Sequence, residues 1–173
     1  QAVREELVSS VGNLSTMLLE EDPVAEMMAC VRKSSSPRDS IRLVGEQLFI
    51  LLDGRVSISD EDIDRLRLCL HQGTWFDALP HLWEDDLDTH AQPLPRGKSL
   101  LSDPVDLLRR VQDFGDNMRE IPDRHFRLLT LYLDPGIETQ LREHSVLCAA
   151  IHRWLHAVHK HHFAVRASVG WTL

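Results

Sequence analysis

Residues 147–165 read LCAAIHRWLHAVHKHHFAV. Leu147, Ile151, Trp154 and Val158 recur at steps of four, three and four, and His161 and Val165 continue the stripe. That spacing puts the five apolar side chains on one seam of a helix, here expected over about 137–165. The chain opens in the same way. Leu7, Val11, Leu14 and Leu18 form a second seam over a helix expected at about 3–19, weakened slightly by Gly12. Neither seam is stable in water, and the simplest remedy is that the two helices pair antiparallel. The fold class expected is therefore all-α: a small helical bundle capping a short antiparallel coiled-coil hairpin. Residues 1–22 and 137–173 form the base, and 23–136 form the head.

The intervening segments also read as helices. Gly and Pro number only 8 each and fall between the periodic stretches. Asp22-Pro23 reads as a cap and first position for a helix at 24–33, and Ser34-Ser35-Ser36-Pro37 reads as a break. A helix at 37–52 carries Ile41, Val44, Leu48, Leu51 and Leu52 and stops at Asp53-Gly54. Ser59-Asp60-Glu61-Asp62 opens an acidic first turn, and Gly73 ends that helix. A short helix is expected at 74–83, with Pro80 bending or ending it. Residues 84–98, with Glu84, Asp85, Asp86 and Asp88 ahead of Pro93, Pro95 and Gly97, read as an exposed loop. Asp103-Pro104 caps a helix running to Phe114. Ile121-Pro122 opens one running to 133, and Asp134-Pro135-Gly136 is a turn.

Composition bounds the function. The formal charge is −8, which disfavours nucleic acid and anionic membrane as partners, since both call for a basic surface. No apolar run is long enough to span a bilayer. Cys30, Cys69 and Cys148 are scattered and odd in number, which fits a reducing intracellular compartment better than a disulfide framework. Starting at Gln1 and stopping at Leu173, the chain reads as a piece of something longer.

Four stretches, in order, resemble the microtubule-binding stalk head of dynein heavy chains. The first is Val31-Arg32-Lys33-Ser34-Ser35-Ser36-Pro37 with Ile41-Arg42-Leu43-Val44 and Leu48-Phe49-Ile50-Leu51-Leu52-Asp53-Gly54. Thr74-Trp75 is the second. The third is Leu100-Leu101-Ser102-Asp103-Pro104, then Leu107-Leu108, Phe114, Asp116-Asn117 and Ile121-Pro122. The last is Tyr132-Leu133-Asp134-Pro135 with Ser145, Leu147-Cys148 and Trp154. Together they cover roughly residues 24–165.

The resemblance implies a non-catalytic head that contacts tubulin. The stalk would join it to an ATP-driven ring elsewhere in the parent chain, and sliding between the stalk helices would set affinity. The implied location is the cytoplasm and cytoskeleton, in the axoneme of a cilium or flagellum. Other axonemal proteins are further candidate partners. No phosphate-binding loop is present, so this segment is not expected to hydrolyse ATP.

The sequence also departs from that pattern. Family heads carry a Lys pair where Val24 and Ala25 stand, and basic residues where Leu128-Leu129-Thr130-Leu131 stand. Arg32, Lys33, Arg38, Arg124, His125 and Arg127 are left as microtubule-facing candidates. Fewer cations facing acidic tubulin implies weak or absent binding. Two inserts, near 60–72 and 84–98, have no family counterpart and either contact another protein or screen the docking face.

Three further clusters invite sharper readings. His152, His156 and His159, with His161 and His162 beyond, suit a metal on one helix face or a pH-sensitive stalk, against the plainer reading of a solvated coiled-coil face. Glu84, Asp85, Asp86 and Asp88 lack the spacing of a calcium loop. Cys148 between His144 and His152 suits a thiol nucleophile, against inert packing. The plainer reading is adopted for all three, so no cofactor, metal or catalytic residue is expected.

Overall fold

The computed structural model describes residues 2–34, 39–52, 58–70, 82–87, 90–117, 121–132 and 135–172. The fold is all-α. Among the described residues the helices are α1 (Ala2–Leu18), α2 (Glu21–Lys33), α3 (Ser40–Leu52), α4 (Asp60–Leu70), α5 (Gly97–Leu101), α6 (Pro104–Asn117), α7 (Asp123–Thr130), α8 (Pro135–His144) and α9 (Val146–Thr172). A two-stranded antiparallel ribbon, β1 (Asp86–Leu87) and β2 (Pro93–Leu94), precedes α5. Pro37, Arg38, Asp53-Gly54, Gly73, 74–81, Asp88 and Asp134 lie outside the described residues.

The two seam helices pair, and in opposite directions. Lys160 Nζ sits 3.3 Å from Glu6 Oε1 near the start of α1. Past the end of α1 the chain turns into α2, whose Glu26 carboxylate accepts the Val146 N–H at 3.1 Å. Leu14 and Leu18 are buried, as are Leu147, Ile151, Trp154 and Val158. Leu7 and Val11 pack on the edge of the same core, while Val165 is 48% exposed, beyond the stretch that α1 covers.

Burial on α9 exceeds what a two-stranded coil needs. Between 147 and 158 only Arg153 is exposed. A coiled-coil strand buries two positions in seven, so α9 is the central helix of a bundle. Helix α1 lies on one side of it, and α2, α3, α7 and α8 pack on the others. Trp154 is fully buried, with the Phe114 ring of α6 edge-on at 5.5 Å. One hydrophobic core runs from Leu14 to Val158. The intervening helices thus lie along α9 as well as at its far end.

The long closing helix is broken. Ser145 ends α8 and caps α9: its Oγ accepts the Cys148 N–H at 3.1 Å. A buried Ser offers the new helix a side-chain acceptor, the usual chemistry of a helix start. Helix α2 holds this break on both sides. Glu26 takes the Val146 N–H, and the Cys30 thiol donates to the His144 carbonyl at 3.2 Å. The turn expected at Asp134-Pro135-Gly136 gives way to α8 at Pro135, and α7 ends at Thr130, short of 133. Helix α2 begins at Glu21, before the expected Asp22 cap; Pro23 is tolerated because a first-turn N–H has no helical partner.

Residues 84–98 are not a free loop. Leu82 and Trp83, expected to be helical, are buried and irregular, and the acids after them find partners. Asp85 Oδ1 accepts from Ser99 Oγ (2.6 Å) and the Arg96 N–H (3.1 Å). Asp86 faces Arg96, and Glu84 faces Lys98. Ala91 turns the ribbon in the left-handed region, at φ 60°. The segment is fastened where α5 crosses α3. Gly97 N–H donates to the Leu82 carbonyl (2.9 Å), Lys98 N–H to that of Trp83 (3.0 Å), and Leu82 N–H to Glu46 Oε2 (3.0 Å).

The crossing depends on two glycines. A β-carbon on Gly97 would strike the Gly45 backbone carbonyl, and one on Gly45 would strike the Trp83 ring. Backbone cannot move aside as a side chain can. Gly97→Ala should therefore destabilise the chain by about 3 kcal/mol or more. Gly12→Ala, where a β-carbon meets nothing within 4 Å, should stabilise by up to about 1 kcal/mol. Urea denaturation of the two variants checks this contrast.

Glu46 is 3% exposed, and burial raises its carboxyl pKa to about 7 against the pull of the Leu82 N–H and Arg42. A raised acid contributes stability that is complete below its unfolded value near 4.5 and lost as pH climbs through 7. The stability difference between wild type and Glu46→Gln should fall by up to about 3 kcal/mol from pH 4.5 to 7.5. Paired denaturation curves across that range measure it.

Candidate partner-docking face

The basic candidates divide into two sets that the fold keeps apart. Arg32 and Lys33 end α2 and are exposed. Cations suit that position on electrostatic grounds alone, because helix C-terminal carbonyls carry partial negative charge. Lys33 edges a cleft that also takes in Cys30, Asp39, Gln140 and His144, at the junction of α2, α3 and α8.

The second set lies on α7, beside a different part of α9. Thr130 Oγ1 is 2.8 Å from His159 Nε2, and Asp123 Oδ1 is 3.2 Å from His162 Nε2. Helix α2, in contrast, touches Val146 and His144. At 1.5 Å rise per residue, Val146 and His162 are about 24 Å apart along α9. Arg32 and Lys33 therefore do not join Arg124 and Arg127 on one compact face. Arg38 lies outside the described residues.

Two of the α7 candidates are also withdrawn from solvent or from charge. His125 is 1% exposed, not surface-facing as its neighbours in sequence suggested. Neither ring nitrogen has a hydrogen-bond partner among the described residues. Burial first, and then the Arg124 charge, lower its pKa, so it stays neutral where a docking cation is needed. Arg127 is bound within the chain: Nη1 donates to Asp60 Oδ1 at 2.7 Å and Nη2 to Asp64 Oδ1 at 3.1 Å, both from α4. Helix α4 is well anchored for this. Ser59 and Asp62 bond reciprocally across its first turn, and Ile63 and Leu66 are buried. Arg124 remains exposed.

The leucines at 128, 129 and 131 are core residues, each under 5% exposed. They face inward, and so do not leave a bare patch on the outer surface. Val24 is half-buried and Ala25 exposed.

Comparison of the chain with protein-family models, with characterised proteins and with solved structures finds no match. The site must accordingly be argued from its own residues.

The other clusters resolve into structure. Cys148 is fully buried, and burial pushes its thiol up to about 12, so it is a packed side chain with negligible thiolate. Cys30 is likewise raised by burial. His152 is 1% exposed, with the His156 ring centroid 4.4 Å away, so this stripe is not the solvated face expected of it. Among the described residues no three metal-ligating side chains stand together. Sequence reasoning missed Glu26, Glu46, Gly45, Gly97 and Ser145. Only Gly45, interrupting an apolar run, and Ser145, whose hydroxyl can accept a backbone N–H, carried a local signal.

An imidazole buried without partners contributes less than an apolar side chain of like volume. His125→Leu is expected to leave stability unchanged or raise it by about 1 kcal/mol, read from urea unfolding at pH 7. A clear loss of stability in that measurement would contradict the unpartnered, inward placement of the ring.

Proposed function

We propose that this chain is the stalk-head module of a divergent dynein-type heavy chain, non-catalytic in itself, whose contact with microtubules is weak. Its place would be the cytoskeleton, in the axoneme of a cilium or flagellum. The observation that carries the reading is the antiparallel α1/α9 pairing, which joins Leu14 and Leu18 to the helix of Trp154. Around it, the dynein-like motifs occur in order along the chain.

Weakness follows from charge. The exposed cations left among the described candidates are Arg32, Lys33 and Arg124, in two places, on a chain of net −8. Rim charges of this kind speed encounter and fix orientation, and salt screens them. The dispersal of these cations also favours a second reading: a structural module with the same architecture that docks another axonemal protein in place of tubulin.

Co-sedimentation with microtubules separates the two. The first reading predicts a small pelleted fraction at low ionic strength that is lost near about 0.15 M salt, where the screening length falls to about 8 Å. No pelleting at low salt transfers the assignment to the second reading. Tight, salt-resistant pelleting contradicts both.

A further inference from the structure

Helix α7 sits on α9 through imidazoles. Phe126 stacks on His162 with ring centroids 3.7 Å apart and planes within 7°. It also meets His159 at 6.5 Å. Thr130 has a single hydroxyl proton, which goes to the Phe126 carbonyl at 2.9 Å. Its oxygen is thus left to accept from His159 Nε2 at 2.8 Å. His159 packs in turn on Phe163 at 4.7 Å. Where a helix contact is ordinarily aliphatic, the α9 side chains in these contacts are titratable rings.

We propose that the seat of α7 on α9 is a proton-sensitive joint: it holds while His159 is neutral and loosens when that ring takes a proton, with the α1/α9 pairing intact.

The charges around the joint single out His159. Asp123 of α7 faces His162, and so offsets a proton there. Glu6 of α1 and Glu138 of α8 act on His156, against Lys160. Arg124 acts on His125, and His161 on His162. The side chains acting on His159 are His156 and His162, both of which become cationic as pH falls. A proton on His159 thus enters a half-buried site, favoured by the Phe126 carbonyl and opposed by burial and by two rings. The Thr130 bond survives protonation, because Nε2–H still donates; the penalty comes from burial and like charge.

Burial holds the His159 pKa down to about 4 against the pull of the Phe126 carbonyl, where a free imidazole sits at about 6.5. The sign follows. A depressed histidine contributes stability that is complete above the free value and is lost as pH falls from there toward 4. At pH 5.5 the opening of α7 is then favoured about tenfold over its value at pH 7.5. Helix α7 stays partly held at that pH because Phe126, Leu128 and Leu129 remain buried against the core. This inference does not depend on tubulin as the partner.

Native-state hydrogen exchange on the whole chain at pH 7.5 and 5.5 tests it, with protection factors corrected for intrinsic rates. Amides of α7 should lose about tenfold in protection, while α3 and the α1/α9 pair keep theirs. His159→Gln, whose amide nitrogen can still donate to Thr130 without titrating, should clearly reduce the change, leaving the part that His125 and His162, also lowered by burial, contribute. Constant α7 protection overturns the proposal. So does a loss shared equally by α3, or one of undiminished size in His159→Gln. If the variant does not fold, the wild-type comparison of α7 with α3 decides alone.

Discussion

The structure depends on burying α9. Its residues from Leu147 to Val158 are apolar on nearly every side, and no single partner helix covers them. Helix α1 takes one face, and α2, α3, α7 and α8 take the rest. Burying a large apolar side chain is worth about 1.5–3 kcal/mol, and Trp154, Ile151, Leu147 and Val158 all lie on this one helix. The other elements are arranged so that each reaches it.

The seam was legible because a period near 3.5 is a property of sequence alone. Leu14, Leu18, Leu147, Ile151, Trp154 and Val158 could all be assigned inward by spacing. Helix α6 with its Asp103 cap, and α4 behind Ser59, were legible for the same local reason: a side-chain acceptor bonds an N–H three residues on. What spacing could not show was contact across the chain. Ser145 breaks a helix whose periodicity runs straight through it, and the break is held by Glu26 and Cys30, more than 100 residues earlier in sequence. Residues 84–98 look solvated by composition. Yet their acids are taken up by Arg96, Lys98 and Ser99, and their base is pinned where Gly45 and Gly97 cross.

The candidate site was legible by residue type but not by placement. Basic side chains on α2 and α7 were found by inspection. That they sit by different stretches of α9, that His125 points inward, and that α4 supplies two carboxylates to Arg127 are facts of tertiary structure. The same holds for the histidines. A stripe at steps of four and three looks like a wet helix face until α7 is laid against it, after which His159 and His162 become packing residues. Among the described residues several cations are engaged within the chain: Arg127 meets Asp60 and Asp64, and Arg96 and Lys98 meet the acids of 84–86.

The α1/α9 pairing can be measured directly by electron paramagnetic resonance distances. Spin labels would be placed at position 6 with either 160 or 146, both on α9, in a chain with Cys30, Cys69 and Cys148 replaced. Antiparallel pairing in this register predicts a short distance for 6/160 and a clearly longer one for 6/146, whose sites are displaced by about 21 Å along the axis at 1.5 Å of rise per residue. A short 6/146 distance with a long 6/160 distance would contradict the pairing and with it the stalk-head reading.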